Sequence, residues 1–447
     1  MSRGRFLDRA AERRFAGLDA RDRAWAMEAA YGTVRLRGRL DALLDRYVGG
    51  RPLDPVVRDV LRLGAYQLTE MAGVPDYAAV SESVELARAA GRARAAGLVN
   101  AVLKRVAADA APGPATPGAD LATPGADRGA PATAGPPADG SAEALAAWGS
   151  HPAWLVERWL ARFGPSETAV LLAANNRRPE LYIRLFGVAA RDAIARLAAV
   201  GIPAEAAALD PRSLRLGRGA APAEALAAVP AIVQDPAASA VARYAGVPAG
   251  AAVADLCAAP GGKSVALLDL GAGAVFAFDR SGRRLAAVRA TADRLGIAGA
   301  GRSRGAAAGR GRLHLGVADA TAVAVRPCSV VLLDAPCTGT GTFRRHPDGR
   351  WRVGPEDLAS LARLQARILR AAAGAVAPGG LLVYATCSLE PEENEEQVEH
   401  FLADHADFRI DPPEGGGSAW AGEPVLRILP HAHGVDGAFA ARLRRSR

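Results

Sequence analysis

The sequence predicts a multidomain chain: an all-α N-terminal domain, a small α+β middle domain and a C-terminal α/β domain built on a doubly wound sheet. Apolar residues recur at helical spacing over the first 108 residues. From Asp235-Pro236 onward, short apolar runs alternate with stretches long enough for helices. A chain of 447 residues also has room for two or three domains that each bury a core.

Residues 1–108 form the predicted all-α domain. Their apolar residues follow helical periodicity in segments at 22–47, 55–71, 77–90 and 95–107. Residues 109–141 are predicted to be a disordered linker, because Ala, Pro, Gly, Thr and Asp dominate them and large apolar side chains are almost absent. Packing there cannot offset the entropy of ordering the chain.

Residues 142–234 alternate helix and strand patterns, which predicts a small α+β domain. Residues 235–447 form the predicted α/β domain, with strands at 252–257, 274–279, 312–317, 329–334 and 380–386. Buried strands separated by helices indicate a Rossmann-like parallel sheet. Residues 299–312, mostly Gly, Arg, Ala and Ser, are predicted to be a flexible basic insertion in that sheet.

Composition limits the functional classes. The net charge of +8 favours a polyanionic partner such as nucleic acid, although an Arg-rich solvated surface explains it equally well. No apolar stretch of about 18 residues occurs, and no apolar signal core follows the N-terminus, so we expect a cytoplasmic protein that does not enter membranes. No Cys/His spacing typical of a zinc site occurs, and we expect no metal.

Cys337 and Cys387 each follow a short apolar run that stops at a polar turn. Such runs are typical of buried parallel strands, whose carboxyl ends meet at the ligand-binding edge of an α/β sheet. With Cys257 and Cys328, these are the four cysteines of the chain, and reduced thiols fit this pattern better than disulfides. The sequence therefore predicts a site with cysteine chemistry at the sheet edge.

Three further segments indicate a nucleoside ligand. The loop "DLCAAPGGKS" at 255–264 follows a strand and opens a helix, so small residues and free N–H groups meet there; an ordinary tight turn is the alternative. Asp279 ends the next strand, placed for ribose hydroxyls, and Asp319 ends the third, placed for an adenine amino group. Either carboxylate alone could instead be a helix cap.

Several of these segments resemble the RNA cytosine-5 methyltransferases of the Sun/NOL/Nop2 family. "DLCAAPGGKS", "LLDAPCTGTGTFRRHPDGRW" and "YATCSLEPEENEEQV" are close to family motifs and occur in family order, and "VQDPAASAVA" and "LPHAHGVDGAFAARL" also match. The N-terminal part resembles a NusB-like RNA-binding domain through "VLRLGAYQLTEMAGVPDYAAVSESVELAR" and "GLVNAVLKR". Thr338 stands where the family usually has Ser.

The resemblance implies an enzyme that uses S-adenosylmethionine to methylate carbon 5 of a cytosine in RNA, with small-subunit rRNA as the expected substrate and a monomer as the expected state. It implies Cys387 as nucleophile, Asp334 as the partner of ring nitrogen 3, and Cys337 as the group that assists proton loss and enzyme release. The cofactor is then expected to lie against Cys257, Ala258, Ala259, Pro260, Gly261, Gly262, Lys263, Asp279, Asp319 and Asp334.

Three alternatives remain to be weighed. The same chemistry could act on tRNA or another RNA. A non-catalytic RNA-binding ribosome-assembly factor would not need two thiols and Asp334. A DNA cytosine methyltransferase would use Cys337 as nucleophile, which the NusB-like segment and "TCSLEPEENE" argue against.

A charged run follows each of Cys337 and Cys387 in the sequence. Arg344 and Arg345 suit a phosphate or an extruded base, and a solvated loop is the alternative. The acids of 392–396 open a predicted helix, where negative charge suits the helix dipole, and we expect a structural role for them.

Overall fold

The computed structural model describes residues 6–71, 73–110, 135–137, 140–299, 311–322, 325–414, 420 and 422–447. The chain divides into two compact units. The helical unit comprises Met1–Arg177 and His346–Arg352, and the sheet unit comprises Arg178–Arg345 and Val353–Arg447. The predicted linker at 109–141 and the predicted insertion at 299–312 fall mostly outside the described residues.

The helical unit confirms the predicted all-α N-terminal region. Its helices are α1 (Leu7–Arg14), α2 (Ala20–Arg35), α3 (Arg37–Val48), α4 (Pro55–Glu70), α5 (Asp76–Ala89), α6 (Ala96–Ala110), α7 (Ala142–Gly149) and α8 (Ala153–Asn176). Leu44, Leu61 and Leu103 are fully buried at its centre, on the apolar stripes of α3, α4 and α6. Asp54 starts α4, because its carboxylate accepts a hydrogen bond from the Val56 N–H at 2.8 Å.

The segment His346–Arg352 belongs to the helical unit although it lies far along the chain. The fully buried Arg350 donates to the Ser150 carbonyl at 3.1 Å and to Asn176 Oδ1 at 2.8 Å. Trp351 donates from its indole nitrogen to the Val34 carbonyl at 2.9 Å. The predicted middle region 142–234 is therefore divided, because α7 and α8 lie in the helical unit.

The sheet unit begins with a small antiparallel sheet. Its elements are β1 (Tyr182–Leu185), α9 (Ala190–Ala199), β2 (Ala204–Ala206), β3 (Ser213–Leu216), α10 (Pro222–Ala228) and β4 (Ala231–Val233), with strand order β2-β3-β1-β4. Ile183 and Leu185 of β1 pack with Leu197 of α9 in a core of their own. The predicted small α+β fold is thus present in this part of the chain.

The large sheet follows. Its elements are α11 (Pro236–Tyr244), β5 (Ala252–Asp255), α12 (Gly262–Asp269), β6 (Ala274–Asp279), α13 (Gly282–Arg294), β7 (Arg312–Val317), β8 (Cys328–Asp334), α14 (Pro355–Ala373), β9 (Val376–Thr386), α15 (Glu395–Asp404), β10 (Phe408–Ile410), β11 (Leu426–Ile428), α16 (Pro430–His433) and β12 (Ala438–Arg445).

The large sheet is mixed. Its strand order is β10-β12-β9-β8-β5-β6-β7, and β11 also pairs with β12. The five strands from β9 to β7 are parallel, as the sequence predicts, whereas β12 runs antiparallel to β9, β10 and β11. Val330 and Leu332 of β8 pack into one hydrophobic core and Val331 and Leu333 into another, so both faces of the sheet are covered.

This topology brings several polar side chains to one edge of the large sheet. Because parallel strands end at the same side of a sheet, the carboxyl ends of β5, β6, β8 and β9 place Asp255, Asp279, Asp334 and Thr386 along a common edge. Among the described residues, no helix is long and apolar enough to cross a membrane, and no cluster of His, Cys, Asp and Glu could hold a metal ion.

Candidate active site

Two free thiols face each other at the carboxyl edge of the large sheet. Cys337 lies three residues beyond the end of β8, and Cys387 directly follows β9. Since β8 and β9 are neighbouring parallel strands with Asp334 opposite Ala385, the two loops leave the sheet side by side. The two Sγ atoms are 3.4 Å apart, and both cysteines are free. The cysteines that the sequence singled out are thus brought together in one site.

The surroundings of Cys337 favour its protonated form. The hydrogen bond with Cys387 and burial hold the pKa of the Cys337 thiol well above its usual range, and the nearby charge of Glu393 adds to the effect. Cys257 is a separate case, because burial raises the pKa of its thiol to about 12. Cys337 and Cys257 therefore carry their protons at neutral pH.

Lys263 and Asp334 form an ion pair beside the thiols. Lys263 stands in the first turn of α12, and its Nζ lies 2.6 Å from Asp334 Oδ2 at the end of β8. Burial acts to lower the pKa of Lys263, but the charge and hydrogen bond of Asp334 outweigh it, so the pKa is raised. Asp334 Oδ1 has no hydrogen-bond partner among the described residues and remains able to meet a ligand.

The glycine loop between β5 and α12 is tightly packed. Gly261 has a φ of 100°, a left-handed conformation that favours glycine. A Cβ on Gly261 would lie 2.7 Å from Val288 Cγ1, and one on Gly262 would lie 2.6 Å from Gln234 Nε2. The loop also contains a cis peptide bond before Pro260. Conformation and packing are thus sufficient reasons for Gly261 before any ligand is considered, whereas the close contact at Gly262 is with the flexible end of a side chain.

The two carboxylates predicted for a nucleoside also serve local structure. Asp279 is buried, accepts from the Ser281 N–H at 2.9 Å and pairs with Arg284 Nη1 at 3.1 Å. Asp319 is exposed, and its Oδ1 accepts from the Thr321 N–H and hydroxyl, each at 2.8 Å. The Thr321 backbone hydrogen bond lowers the pKa of Asp319. Asp319 therefore fixes a turn with one oxygen and leaves the other towards solvent.

Arg344 and Arg345 hold the loop that carries them. Arg345 pairs with Asp235 at 2.7 Å and with Asp436 at 3.0 Å. Arg344 is buried and donates from Nη1 to the Gly434 carbonyl at 2.9 Å. Both guanidiniums thus have intramolecular partners, which neither the predicted RNA contact nor the solvated-loop alternative anticipated.

Sequence reasoning missed three buried polar residues behind the thiols: Gln365, Glu393 and Asn394. Glu393 accepts from the Thr338 N–H and from Gln365 Nε2, each at 2.9 Å. Burial raises the pKa of Glu393, opposed by its hydrogen bonds. Helical spacing offered one usable signal, because Gln365 lies on the apolar stripe of α14 between Leu358 and Leu369, all of them buried.

Comparison with known proteins assigns the chain to a protein family. Residues 248–444 match the family model described as 16S rRNA methyltransferase RsmB/F. A Thermus thermophilus protein named ribosomal RNA small subunit methyltransferase B is 35% identical over 441 residues, which cover 98% of this chain and 92% of that protein. The chain belongs to the RsmB/F family.

Other similarities agree with membership of the RsmB/F family. Residues 1–108 match the NusB family, and residues 151–221 match the ferredoxin-like domain of RsmF/B-like methyltransferases. The Sodalis glossinidius protein of the same name is 35% identical, covering 96% of this chain and 91% of that protein. The crystal structure of PH0851 superposes with a TM-score of 0.75 at 25% identity and covers 98% of this chain and 93% of that one. The family resemblance and the NusB-like domain are therefore confirmed.

Proposed function

We propose that this member of the RsmB/F family transfers a methyl group from S-adenosylmethionine to carbon 5 of a cytosine in 16S rRNA, through a covalent adduct between the cytosine and Cys387. The observation that carries the proposal is the pair of thiols 3.4 Å apart beside the Lys263–Asp334 ion pair. The rRNA substrate is supported by the names of the relatives in Thermus and Sodalis.

The cofactor is proposed from the chemistry of the sheet edge. S-adenosylmethionine presents hydrogen-bond donors, namely an ammonium group, two ribose hydroxyls and an adenine amino group. Carboxylates accept such bonds. Asp279 and Asp334 end β6 and β8, and Asp319 comes two residues after β7, at the same edge of the sheet. The residues from Cys257 to Lys263 would lie against the cofactor at the start of α12. When bound, S-adenosylmethionine supplies an electrophilic methyl group.

The chemistry requires a nucleophile because carbon 5 of cytosine reacts poorly on its own. A thiolate that adds to carbon 6 makes carbon 5 enamine-like and able to attack a methyl sulfonium. Addition also places negative charge on the pyrimidine. The proton that leaves Cys387 on attack goes to ring nitrogen 3, which neutralises this charge, and Asp334, held by Lys263 at 2.6 Å, accepts a hydrogen bond from the resulting N–H.

The surroundings of the two thiols separate their roles. The family resemblance assigns the attack to Cys387, and the raised pKa of Cys337, caused by its hydrogen bond with Cys387 and by burial, agrees with a Cys337 that keeps its proton at this stage. The first cause of that raised pKa is the hydrogen bond with Cys387. Attack on the cytosine removes this cause, so Cys337 ionises more easily: it gives its proton to water and, as a thiolate, takes the proton from carbon 5. The electrons of that C–H bond then expel the Cys387 thiolate and free the enzyme.

The test is a methylation assay of the Cys387→Ala variant with unmodified 16S rRNA. Single-turnover methyl transfer should fall to background, because no thiolate is left to activate the ring, whereas binding of S-adenosylhomocysteine should persist. Bisulfite sequencing of rRNA and tRNA from cells with and without the protein locates the product. A methylated cytosine in tRNA alone would favour the tRNA alternative, and near-normal transfer by the variant would reject Cys387 as nucleophile.

A further inference from the structure

The main chain on both sides of Cys337 is held by one pair of buried side chains. Gln365 Nε2 donates to the Pro336 carbonyl at 2.9 Å, and the Thr338 N–H donates to Glu393 Oε1 at 2.9 Å. Gln365 and Glu393 are themselves joined by a hydrogen bond of 2.9 Å. Both side chains are fully buried. The position of Cys337 therefore depends on a clamp supplied by α14 and by the turn before α15.

The residue next to Glu393 contacts both neighbours of the other thiol. Asn394 Nδ2 donates to the Ser388 carbonyl at 2.9 Å, and the Thr386 hydroxyl donates to Asn394 Oδ1. Thr386 and Ser388 are the two neighbours of Cys387 in the chain. Asn394 is 2% exposed, so these bonds are made without competition from water. Two consecutive residues thus act on the two cysteine loops: Glu393 holds the main chain on one side of Cys337 and also meets Ser388, whereas the side chain of Asn394 bonds to the neighbours of Cys387.

We propose that Glu393 and Asn394 are positioning residues that set the distance between the two sulfurs, Glu393 through Cys337 and Asn394 through Cys387. This inference rests on the proposed function and extends it to residues that touch neither substrate nor cofactor. A distance of 3.4 Å between sulfurs is short enough for proton exchange, and a small displacement of either loop breaks it. Misplacing a reacting group by about 1 Å can cost a hundredfold in rate.

A carboxylate suits the first position better than an amide. Glu393 accepts hydrogen bonds from the Thr338 N–H, the Thr338 hydroxyl and Gln365 Nε2, and a hydrogen bond with Ser388 also acts to lower its pKa. An amide at this place can keep its oxygen towards the Thr338 N–H and Gln365 Nε2, but it then turns an NH₂ group towards the Thr338 hydroxyl, which must change from donor to acceptor. Glu393→Gln preserves size and shape, so its expected effect is a loosened Cys337 loop in a folded protein.

The two residues should act on different steps. Glu393 holds the loop of Cys337, the thiol proposed to assist release, so Glu393→Gln should lengthen the life of the covalent adduct by about tenfold to a hundredfold. Asn394 holds the loop of Cys387, the thiol proposed to attack, so Asn394→Ala should slow adduct formation by a similar factor. A purely structural role would slow both steps together and lower thermal stability without separating them.

The experiment measures both steps on full-length enzyme with unmodified 16S rRNA. Adduct formation and decay are followed on denaturing gels, and affinity for S-adenosylhomocysteine and thermal unfolding are measured for each variant. Gln365→Met should repeat the release defect of Glu393→Gln, because it removes the hydrogen bond to the Pro336 carbonyl on the other side of Cys337. It replaces Glu393→Gln in the experiment if that variant folds poorly. Glu399→Gln makes the same chemical change on the exposed face of α15 and should leave both rates unchanged.

Separate slowing of release and of attack, with cofactor affinity unchanged, is the expected result. Equal slowing of both steps in Glu393→Gln and Asn394→Ala, or normal rates in both, would overturn the positioning role. Cys337→Ser provides the reference for a trapped adduct. If Cys337→Ser traps RNA while the Glu393, Gln365 and Asn394 variants behave as wild type, only this inference fails. If no variant and no wild-type sample forms an adduct, the proposed function fails and this inference fails with it.

Discussion

Cys337 and Cys387 carry the same functional group 3.4 Å apart, so their surroundings must separate their roles. Under the proposed mechanism, Cys337→Ser leaves the attacking thiol intact and removes the group that assists release. The covalent complex should therefore accumulate, because a serine hydroxyl is a far weaker acid than a thiol and does not supply the base. A slow-migrating band on a denaturing gel that disappears after RNase treatment would report it.

The control for this prediction is the double variant with Cys387→Ala, which should give no band. Cys328→Ser is a matched control, because Cys328 is a half-buried thiol whose pKa is raised by burial and which lies at the start of β8, the end of the strand away from Cys337. If the roles were inverted, Cys337→Ser would give no adduct and Cys387→Ala would trap RNA. That result would assign the attack to Cys337, as in the DNA cytosine methyltransferase alternative.

At the scale of residues, the sequence supplies the reacting groups and misses what holds them. Cys337 and Cys387 stand out because each ends an apolar run, which is a local pattern. In the sequence, the acids of 392–396 are typical of a helix start, where negative charge suits the helix dipole, so a one-dimensional pattern gives no reason to separate Glu393 from its neighbours. Its burial depends on α14, Thr338 and β9, which are distant in the chain and meet only after folding.

The strand β5 ends in a buried carboxyl group, that of Asp255, and burial favours its protonated form. Asp255 is 1% exposed, and burial raises its pKa to about 7, opposed by a hydrogen bond from the Ser264 hydroxyl at 2.6 Å. The native state then holds a proton that the unfolded chain has lost above its ordinary pKa of 3.8. This contribution to stability is complete below about pH 4 and is lost as the pH rises to about 7.

Asp255→Asn should remove this dependence, since an amide does not titrate and its oxygen can still accept from Ser264. Between about pH 4 and pH 7, the unfolding free energy of the wild type should fall relative to that of Asp255→Asn by up to about 1.4 kcal/mol per pH unit. Thermal or urea unfolding of both proteins across this range measures the difference. Parallel curves would mean that Asp255 is ionised in the native state.

At the scale of elements, the parallel strands of the large sheet are predictable and its antiparallel strands are not. β5, β6 and β8 are short apolar runs that end at polar turns, and the predicted bounds of each lie within a few residues of the observed ones. β10 and β11 are three residues each, too short for a period of two to be recognised. β12 contains Arg442, Arg444 and Arg445, so it resembles a charged tail until its pairing with β9 is known.

The division of the whole chain into two compact units is only partly predictable from its sequence. Helical periodicity identifies α2 to α6, but α7 and α8 also belong to the helical unit, as does the distant segment His346–Arg352. The buried Arg350 explains that segment, because its guanidinium needs the carbonyls of Ser150 and Asn175. Such a partnership between distant segments leaves no local pattern in the sequence.

The net charge of +8 leaves open whether RNA binding uses a defined surface or the overall charge. The NusB-like region offers a defined candidate in Arg94, Lys104 and Arg105, three exposed cations in and just before α6. Changing all three to Ala should weaken binding to 16S rRNA and reduce the slope of log affinity against log salt by about 0.7–0.9 for each phosphate that is no longer neutralised. Affinity for S-adenosylhomocysteine should not change, because the candidate cofactor residues lie in the sheet unit.

The matched control changes three exposed cations of the sheet unit, Arg191, Arg283 and Arg289, to Ala. It lowers the net charge by the same amount, so a contribution from overall charge would weaken binding equally in the two triple variants. Filter binding at several salt concentrations compares their slopes. A reduced slope confined to the Arg94, Lys104 and Arg105 variant would place the phosphate-binding cations on the NusB-like region, since only a cation that releases counterions from the RNA changes the slope. Equal slopes for that variant and the wild type would mean that these cations stay in water when the RNA is bound.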